Sequence, residues 1–185
     1  MPVSGPQWIN RFPTSTSLDD LVQPFQGNLR RFLTALQIAG VRVAIADTLR
    51  PPQRAYLMHF AFRIAREGLD PATVPQMDGV DIQWLHVDST GSADLTASKT
   101  AAEQMVKGFN IVFRPALSSR HTEGNAVDMN IGWENNVTVA DGNGSMIAIA
   151  SLPRTGGNSD MQRIGASYGV HKLSSDPPHW SSDGH

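Results

Sequence analysis

The stretch Thr138-Val139-Ala140-Asp141-Gly142-Asn143-Gly144-Ser145-Met146-Ile147-Ala148-Ile149 decides the fold class. Two short apolar and β-branched runs flank Asp-Gly-Asn-Gly, residues that accept the positive φ angles of a tight turn between antiparallel strands. The same character extends outward. Ala126 to Ile131 reads as a strand before the hairpin. A short helix over Asp160–Tyr168 and a strand pair around Val170–Leu173 and His179–Trp180 follow it. Upstream the period changes: Leu21, Phe25, Leu29, Phe32, Leu33 and Leu36 recur at three- and four-residue steps. That spacing predicts an amphipathic helix from Leu18, with Ser17 or Asp19 at its start and Gly40 as its stop. Val41 to Ala46 alternates as a strand, Pro51 and Pro52 open a second helix running to Gly68, and a third helix covers Ser98 to Gly108. A short extended piece is expected at Ile111-Val112-Phe113, and residues 69–95 read as a loop-rich insert with one strand, Val80 to Val87. Helices come first and strands cluster later. The prediction is an α+β single domain, a mostly antiparallel sheet with helices packed on one face. Residues 1–17, rich in Pro, Ser and Thr, form an N-terminal arm pinned by Trp8 and Phe12; residues 18–185 form the domain.

Composition narrows the chemistry. The chain has 185 residues, 40% of them apolar, enough for one core of ordinary size. It carries 15 basic and 17 acidic residues, and the net charge of −2 excludes nucleic-acid binding through bulk positive charge. Cationic attachment to a membrane surface is disfavoured on the same grounds. Cysteine is absent, which excludes disulfides, thiolate metal sites and cysteine nucleophiles together. A metal here must be held by His, Asp or Glu. No stretch approaches the ~18 apolar residues of a membrane span. The opening Met1-Pro2-Val3-Ser4-Gly5-Pro6-Gln7-Trp8 lacks the charged and apolar regions of a secretory signal. Cytoplasmic synthesis without a signal peptide is therefore expected.

Ser119-Arg120-His121-Thr122-Glu123-Gly124-Asn125-Ala126-Val127-Asp128 carries the most chemical information. His121 falls in a turn, Gly124 permits an unusual backbone angle, and Asp128 lies on the strand that follows, so the turn can bring the imidazole back beside the carboxylate. One imidazole and one carboxylate are two-thirds of a catalytic zinc site, which has three protein ligands and an open position. The tail offers a third in Asp176-Pro177-Pro178-His179, where two prolines stiffen the connection between an acid and a histidine. With His179 on the metal, Asp176 can serve as general base.

Ser-x-His-x-x-Gly-x-Ala-x-Asp at 119–128, followed by Asp-x-x-His at 176–179, resembles the zinc peptidases of the D-Ala-D-Ala carboxypeptidase/dipeptidase type. That group includes VanY- and VanX-like enzymes and phage L-alanyl-D-glutamate endolysins. Every fixed position of the first motif is present; the second has Asp176 where many relatives have Glu, as the endolysin branch often does. Thr48-Leu49-Arg50-Pro51-Pro52-Gln53-Arg54 resembles the family's arginine segment. The likeness covers roughly residues 41–60 and 98–181. It implies a Hedgehog/DD-peptidase-like fold with His121, Asp128 and His179 as Zn2+ ligands and Asp176 as base. By the same likeness Arg50 stabilises the oxyanion; Ser119 is a candidate for positioning substrate. The substrate implied is a peptidoglycan stem peptide, cut as an L-Ala-D-Glu endopeptidase or a D,D-carboxypeptidase. The enzyme then acts on the cell wall, in the periplasm or outside, after release or delivery, and a monomer is expected.

Competing readings are a non-catalytic, zinc-containing wall-peptide binding module and a different amide or ester hydrolase using the same metal site. Gln53 is as well explained by its helix as by a site. His59 and His86 read as structural, and His171 and His185 lie near the second motif only in sequence. Glu123 mimics the His-x-Glu of zinc deaminases, whose cysteine ligands are missing. There is no His-Glu-x-x-His, no Gly-x-Ser-x-Gly elbow and no phosphate loop.

Overall fold

In a computed structural model covering residues 1–185, the chain runs α1 (Phe25–Ile38), β1 (Arg42–Asp47), α2 (Pro52–Arg66), β2 (His86–Val87), β3 (Ala93–Asp94), α3 (Leu95–Gly108), β4 (Ala126–Gly132), β5 (Val137–Ala140), β6 (Met146–Ile149), α4 (Ser159–Ser167), β7 (His171–Lys172) and β8 (His179–Ser181). All strand pairings between these elements are antiparallel, so the α+β class expected from the hairpin and its surroundings is what forms. The chain sorts into two compact units, each built from separated segments: Met1–Pro13 with Pro51–Ser119, and Thr14–Arg50 with Arg120–His185.

The second unit carries the main sheet, with strand order β1-β4-β8-β7, and the β5–β6 hairpin. Strand alternation divides β4 cleanly. Val127, Met129 and Ile131 point into the core with Phe25, Leu29, Phe32, Leu36, Met161, Ile164 and Trp180, while Asp128 and Asn130 take the other face. The helices α1 and α4 therefore cover one face of the sheet and leave the opposite face to polar residues. Gly165 on α4 is where this packing is tightest: a Cβ there would come within 2.8 Å of Trp180 Cζ3 and 2.9 Å of the Val170 carbonyl oxygen.

The first unit is a smaller core around α2 and α3. Tyr56, Leu57, Phe60 and Ile64 of α2 pack with Ala102, Met105 and Val106 of α3 and with Val80, Ile82 and Trp84. Trp8 is buried in this cluster, and Arg54 donates to the Ile9 and Phe12 carbonyls, so residues 1–13 belong to the body of the unit. The rest of the expected arm, residues 14–17, belongs to the second unit.

Three local expectations change. The first helix begins at Phe25 and not Leu18, because Pro24 disfavours helical backbone in the residue before it. Leu18–Asp20 forms a separate 3-10 turn capped by the Ser17 hydroxyl. Val80 to Val87 buries Val80, Ile82 and Trp84 in alternation, but Val80 and Gln83 make only single bridges, to Met77 and Val3, and the one ladder is His86–Val87 with Ala93–Asp94. Ile111–Phe113 is bent, and Val112 and Phe113 face solvent, so no strand forms there.

Candidate metal centre

Three side chains converge on the polar face of the sheet. Asp128 on β4 and His179 on β8 are direct cross-strand partners, which puts their side chains on one face. His121 arrives from the turn before β4. Asn125 N–H donates to the Arg120 carbonyl at 2.8 Å, and Gly124 takes a φ of +71°, which lets the chain double back. A side chain at Gly124 would also crowd the Asp20 carbonyl oxygen at 3.3 Å.

The donor atoms form a triangle. His121 Nε2 lies 3.1 Å from Asp128 Oδ1, His179 Nδ1 lies 3.1 Å from the same oxygen, and the two nitrogens are 3.1 Å apart. Both imidazoles are buried and the carboxylate is half-buried. Each ring's remaining nitrogen faces an oxygen that can only accept. His121 Nδ1 lies 2.7 Å from the Thr48 carbonyl oxygen, and His179 Nε2 lies 3.1 Å from the His185 main-chain oxygen. Those contacts place the N–H on the outer nitrogen of each neutral ring and turn both lone pairs inward beside Asp128. Two lone pairs and a carboxylate oxygen at mutual contact repel one another unless a cation or a proton sits among them. Burial pushes the Asp128 carboxyl up, but hydrogen bonds from His121 and His179 outweigh it and hold the group well below the usual carboxylate range. Burial pushes His179 down, and the Asp128 hydrogen bond, the His185 oxygen and the charge of Asp176 together raise it above its ordinary value.

A divalent cation fits the same space. Three corners of a tetrahedron with bonds of about 2.0–2.1 Å lie roughly 3.3–3.4 Å apart, close to the triangle found here, and three protein ligands leave a coordination position over. By type, convergence and burial, His121, Asp128 and His179 are a group that could hold a metal ion.

The other expected residues are Arg50, Asp176 and Ser119. Arg50 follows β1, and its N–H donates to the His121 carbonyl at 3.0 Å. Its side chain is mostly buried, with Nη2 3.9 Å from Asp47 Oδ2 and Nε left without a hydrogen-bond partner. Asp176 sits exposed in the turn before β8, where its carbonyl oxygen accepts from His179 N–H at 3.1 Å. Its carboxylate is not one of the converging donors, but its charge reaches His179. Ser119 is half-buried in the irregular segment ahead of the His121 turn, outside the converging group.

Several supporting groups have no side-chain signature that would have marked them. Thr48 and His185 act through main-chain oxygens. Thr48 is fully buried and held from both sides: its N–H donates to the Ser15 carbonyl, its hydroxyl to the Ser17 carbonyl, and Ser15 N–H donates to the Leu49 carbonyl. Residues 15–17 thus brace the oxygen that orients His121. Lys172 Nζ gathers the carbonyls of Leu173, Asp176 and His179, which shapes the turn carrying Asp176. Arg120 forks onto the Asp183 carboxylate and also binds Glu123 at 2.6 Å. Asp183 in turn accepts from His185 N–H at 3.3 Å, so an ion pair ties the His121 turn to the tail that supports His179. No family model and no curated protein matches the chain.

Proposed function

We propose that the protein is a zinc metallopeptidase that hydrolyses peptidoglycan stem peptides, as an L-Ala-D-Glu endopeptidase or a D,D-carboxypeptidase. The observation that carries this reading is the two-imidazole, one-carboxylate triangle with both outer ring nitrogens committed to main-chain oxygens. Three protein ligands are the complement of a catalytic zinc site, whereas structural sites use four. The spacing of these ligands in the sequence supports the peptidase class, through the resemblance drawn above. Zinc held there supplies a Lewis acid and lowers the pKa of water toward ~7.

The chain's own residues do the rest. Asp176, on its exposed turn, takes the proton of the attacking water and returns it to the leaving amine. Arg50 brings a guanidinium whose Nε has no partner in the folded chain, and it stabilises the oxygen that gains charge as the peptide carbonyl is attacked. Ser119 positions substrate. Thr48 and His185 hold the imidazoles in the tautomer that keeps their lone pairs on the metal side. The enzyme works on the cell wall after release or delivery.

The test is mass spectrometry of purified peptidoglycan after incubation with the zinc-loaded protein, with and without a chelator. Chelator-sensitive release of fragments is the expected result, and their masses name the bond. A zinc-loaded protein that binds wall peptide and leaves it intact across several wall chemotypes would make the protein a binding module instead.

A further inference from the structure

The main chain that carries Arg50 is fixed against the metal centre, but its side chain is not. His121 takes hold of the segment twice: its Nδ1 lies 2.7 Å from the Thr48 carbonyl oxygen, and its own carbonyl accepts from Arg50 N–H at 3.0 Å. The guanidinium has no comparable anchorage. Its Nε makes no hydrogen bond, and its one ionic contact runs from Nη2 to Asp47 Oδ2 at 3.9 Å. Arginine loses more rotamer entropy on ordering than most side chains, so a guanidinium with a single partner depends on that partner.

Asp47 reaches its place through a bulge. Ala44 pairs with Asn130 and Ile45 with Met129, so an unbroken ladder would set Ala46 opposite Asp128. The register shifts between Ile45 and Asp47, and Asp47 stands opposite Asp128 instead. Simple alternation would have sent Asp47 to the side of Val43 and Ile45, which pack against the core. The extra residue re-aims it. Cross-strand partners share a face, so Asp47 joins Asp128 on the polar face, with Cβ atoms about 4.5–5.5 Å apart. Two carboxylates directly opposite each other repel unless each meets positive charge. Asp128 meets the imidazoles, and Asp47 meets Arg50. The Asp47 and Arg50 side chains are only 31% and 22% exposed, so their attraction is screened less than that of a surface pair.

We infer that Asp47 is a positioning residue for Arg50: from the polar face, opposite Asp128, its carboxylate holds Nη2 of the guanidinium and leaves Nε for the substrate. At 3.9 Å the contact is an ion pair and not yet a hydrogen bond, and contacts of this kind tighten when substrate binds. Asp47 is not among the converging donors and acts through Arg50 alone. Its part in the reaction rests on the peptidase reading, in which the guanidinium meets the oxygen that gains charge.

The experiment compares the full-length, zinc-loaded protein with Asp47→Asn, which keeps the size of the side chain and removes its charge, with Arg50→Ala, and with the double variant. Nitrogen-15 NMR follows the Arg50 Nε–H, and kinetics on a synthetic stem pentapeptide follow the reaction. In Asp47→Asn the Arg50 Nε–H resonance shifts and its order parameter falls. kcat and kcat/KM drop together by roughly tenfold to a hundredfold while KM stays within about twofold, because the interaction lost is one made in the transition state. In the Arg50→Ala background the same substitution costs no further activity. An Arg50 resonance unmoved by Asp47→Asn overturns the inference. An equal loss of activity with and without Arg50 overturns it too, as does a rise in KM at constant kcat. A guanidinium set loose by Asp47→Asn, in a protein whose wild type cuts no wall peptide, supports the hold of Asp47 on Arg50 and removes the peptidase reading.

Discussion

Gly165→Ala pits two effects of opposite sign against each other, and the structure decides between them. Gly165 lies inside α4, where alanine in place of glycine favours the helix by about 1 kcal/mol. The added Cβ would meet Trp180 Cζ3 at 2.8 Å, the Val170 carbonyl oxygen at 2.9 Å and Phe32 Cε1 at 3.4 Å. Trp180 is wholly buried and the Val170 oxygen is main chain, so neither can swing aside as the tip of a flexible side chain would. Overpacking of this kind costs about 1–3 kcal/mol, and the backbone contact puts it toward the upper end. The net loss is about 1–2 kcal/mol. At about 2–4 °C per kcal/mol for a domain of this size, Tm falls by roughly 2–8 °C in a thermal melt. The strain has a second readout. Trp180 neighbours His179 on β8, so relief of the clash moves a metal ligand, and zinc affinity falls with stability. An unchanged or raised Tm would refute the packing argument; a lowered Tm with unaltered zinc affinity would refute the link from α4 to the metal centre.

Other expectations follow from the same geometry. His121→Ala, Asp128→Ala and His179→Ala each abolish zinc binding by calorimetry, whereas Asp176→Ala keeps the zinc and loses turnover of wall peptide. Zinc at a hundred times its Kd stabilises the fold by about 2.7 kcal/mol, so a chelator lowers Tm by roughly 5–11 °C. With zinc chelated, Asp128, held low, contributes stability above about pH 4 that is lost as the pH falls through its depressed pKa. His179, held high, contributes stability fully present below about pH 6.5 and lost as the pH rises through its raised pKa. The Tm advantage of chelated wild type over chelated Asp128→Asn is therefore greatest between about pH 4 and 6.5, and a maximum at pH 8 would contradict the assignment. Asp183→Ala frees the tail from Arg120 and lowers zinc affinity about tenfold, the size seen when outer supports of metal ligands are removed.

The sequence was most legible where side chains carry the information. The Asp-Gly-Asn-Gly turn announced β5 and β6, and the alternation in β4 placed Asp128 on the face away from Val127 and Met129. His121, Asp128 and His179 were legible as candidate ligands from residue type and spacing, and the cross-strand register explains how residues 51 positions apart in sequence come to face one centre. What stayed hidden was carried by the main chain. The oxygens that face His121 and His179 are main-chain groups of Thr48 and His185, which no side-chain pattern marks. Val80, Ile82 and Trp84 misled for a related reason: alternate burial reports a half-buried surface, and a segment packed on α2 and α3 meets that condition with only single bridges, Val80 to Met77 and Gln83 to Val3.

The second unit is interrupted between Arg50 and Arg120, and this has a bearing on how the centre comes into being. β1 and the Thr48 oxygen are synthesised long before the ligands they support. The pairing of Arg42 with Gly132 closes a loop of some ninety residues, whose entropy grows only as the logarithm of its length but must be met before the sheet rewards it. Metal capture is thus a late event in the life of the chain, possible only once the tail through His185 has emerged and β1 has found β4. A nascent or truncated chain holds two imidazoles and a carboxylate with no common focus. The interruption keeps the three candidate ligands apart until β1, β4 and β8 have come together in one sheet.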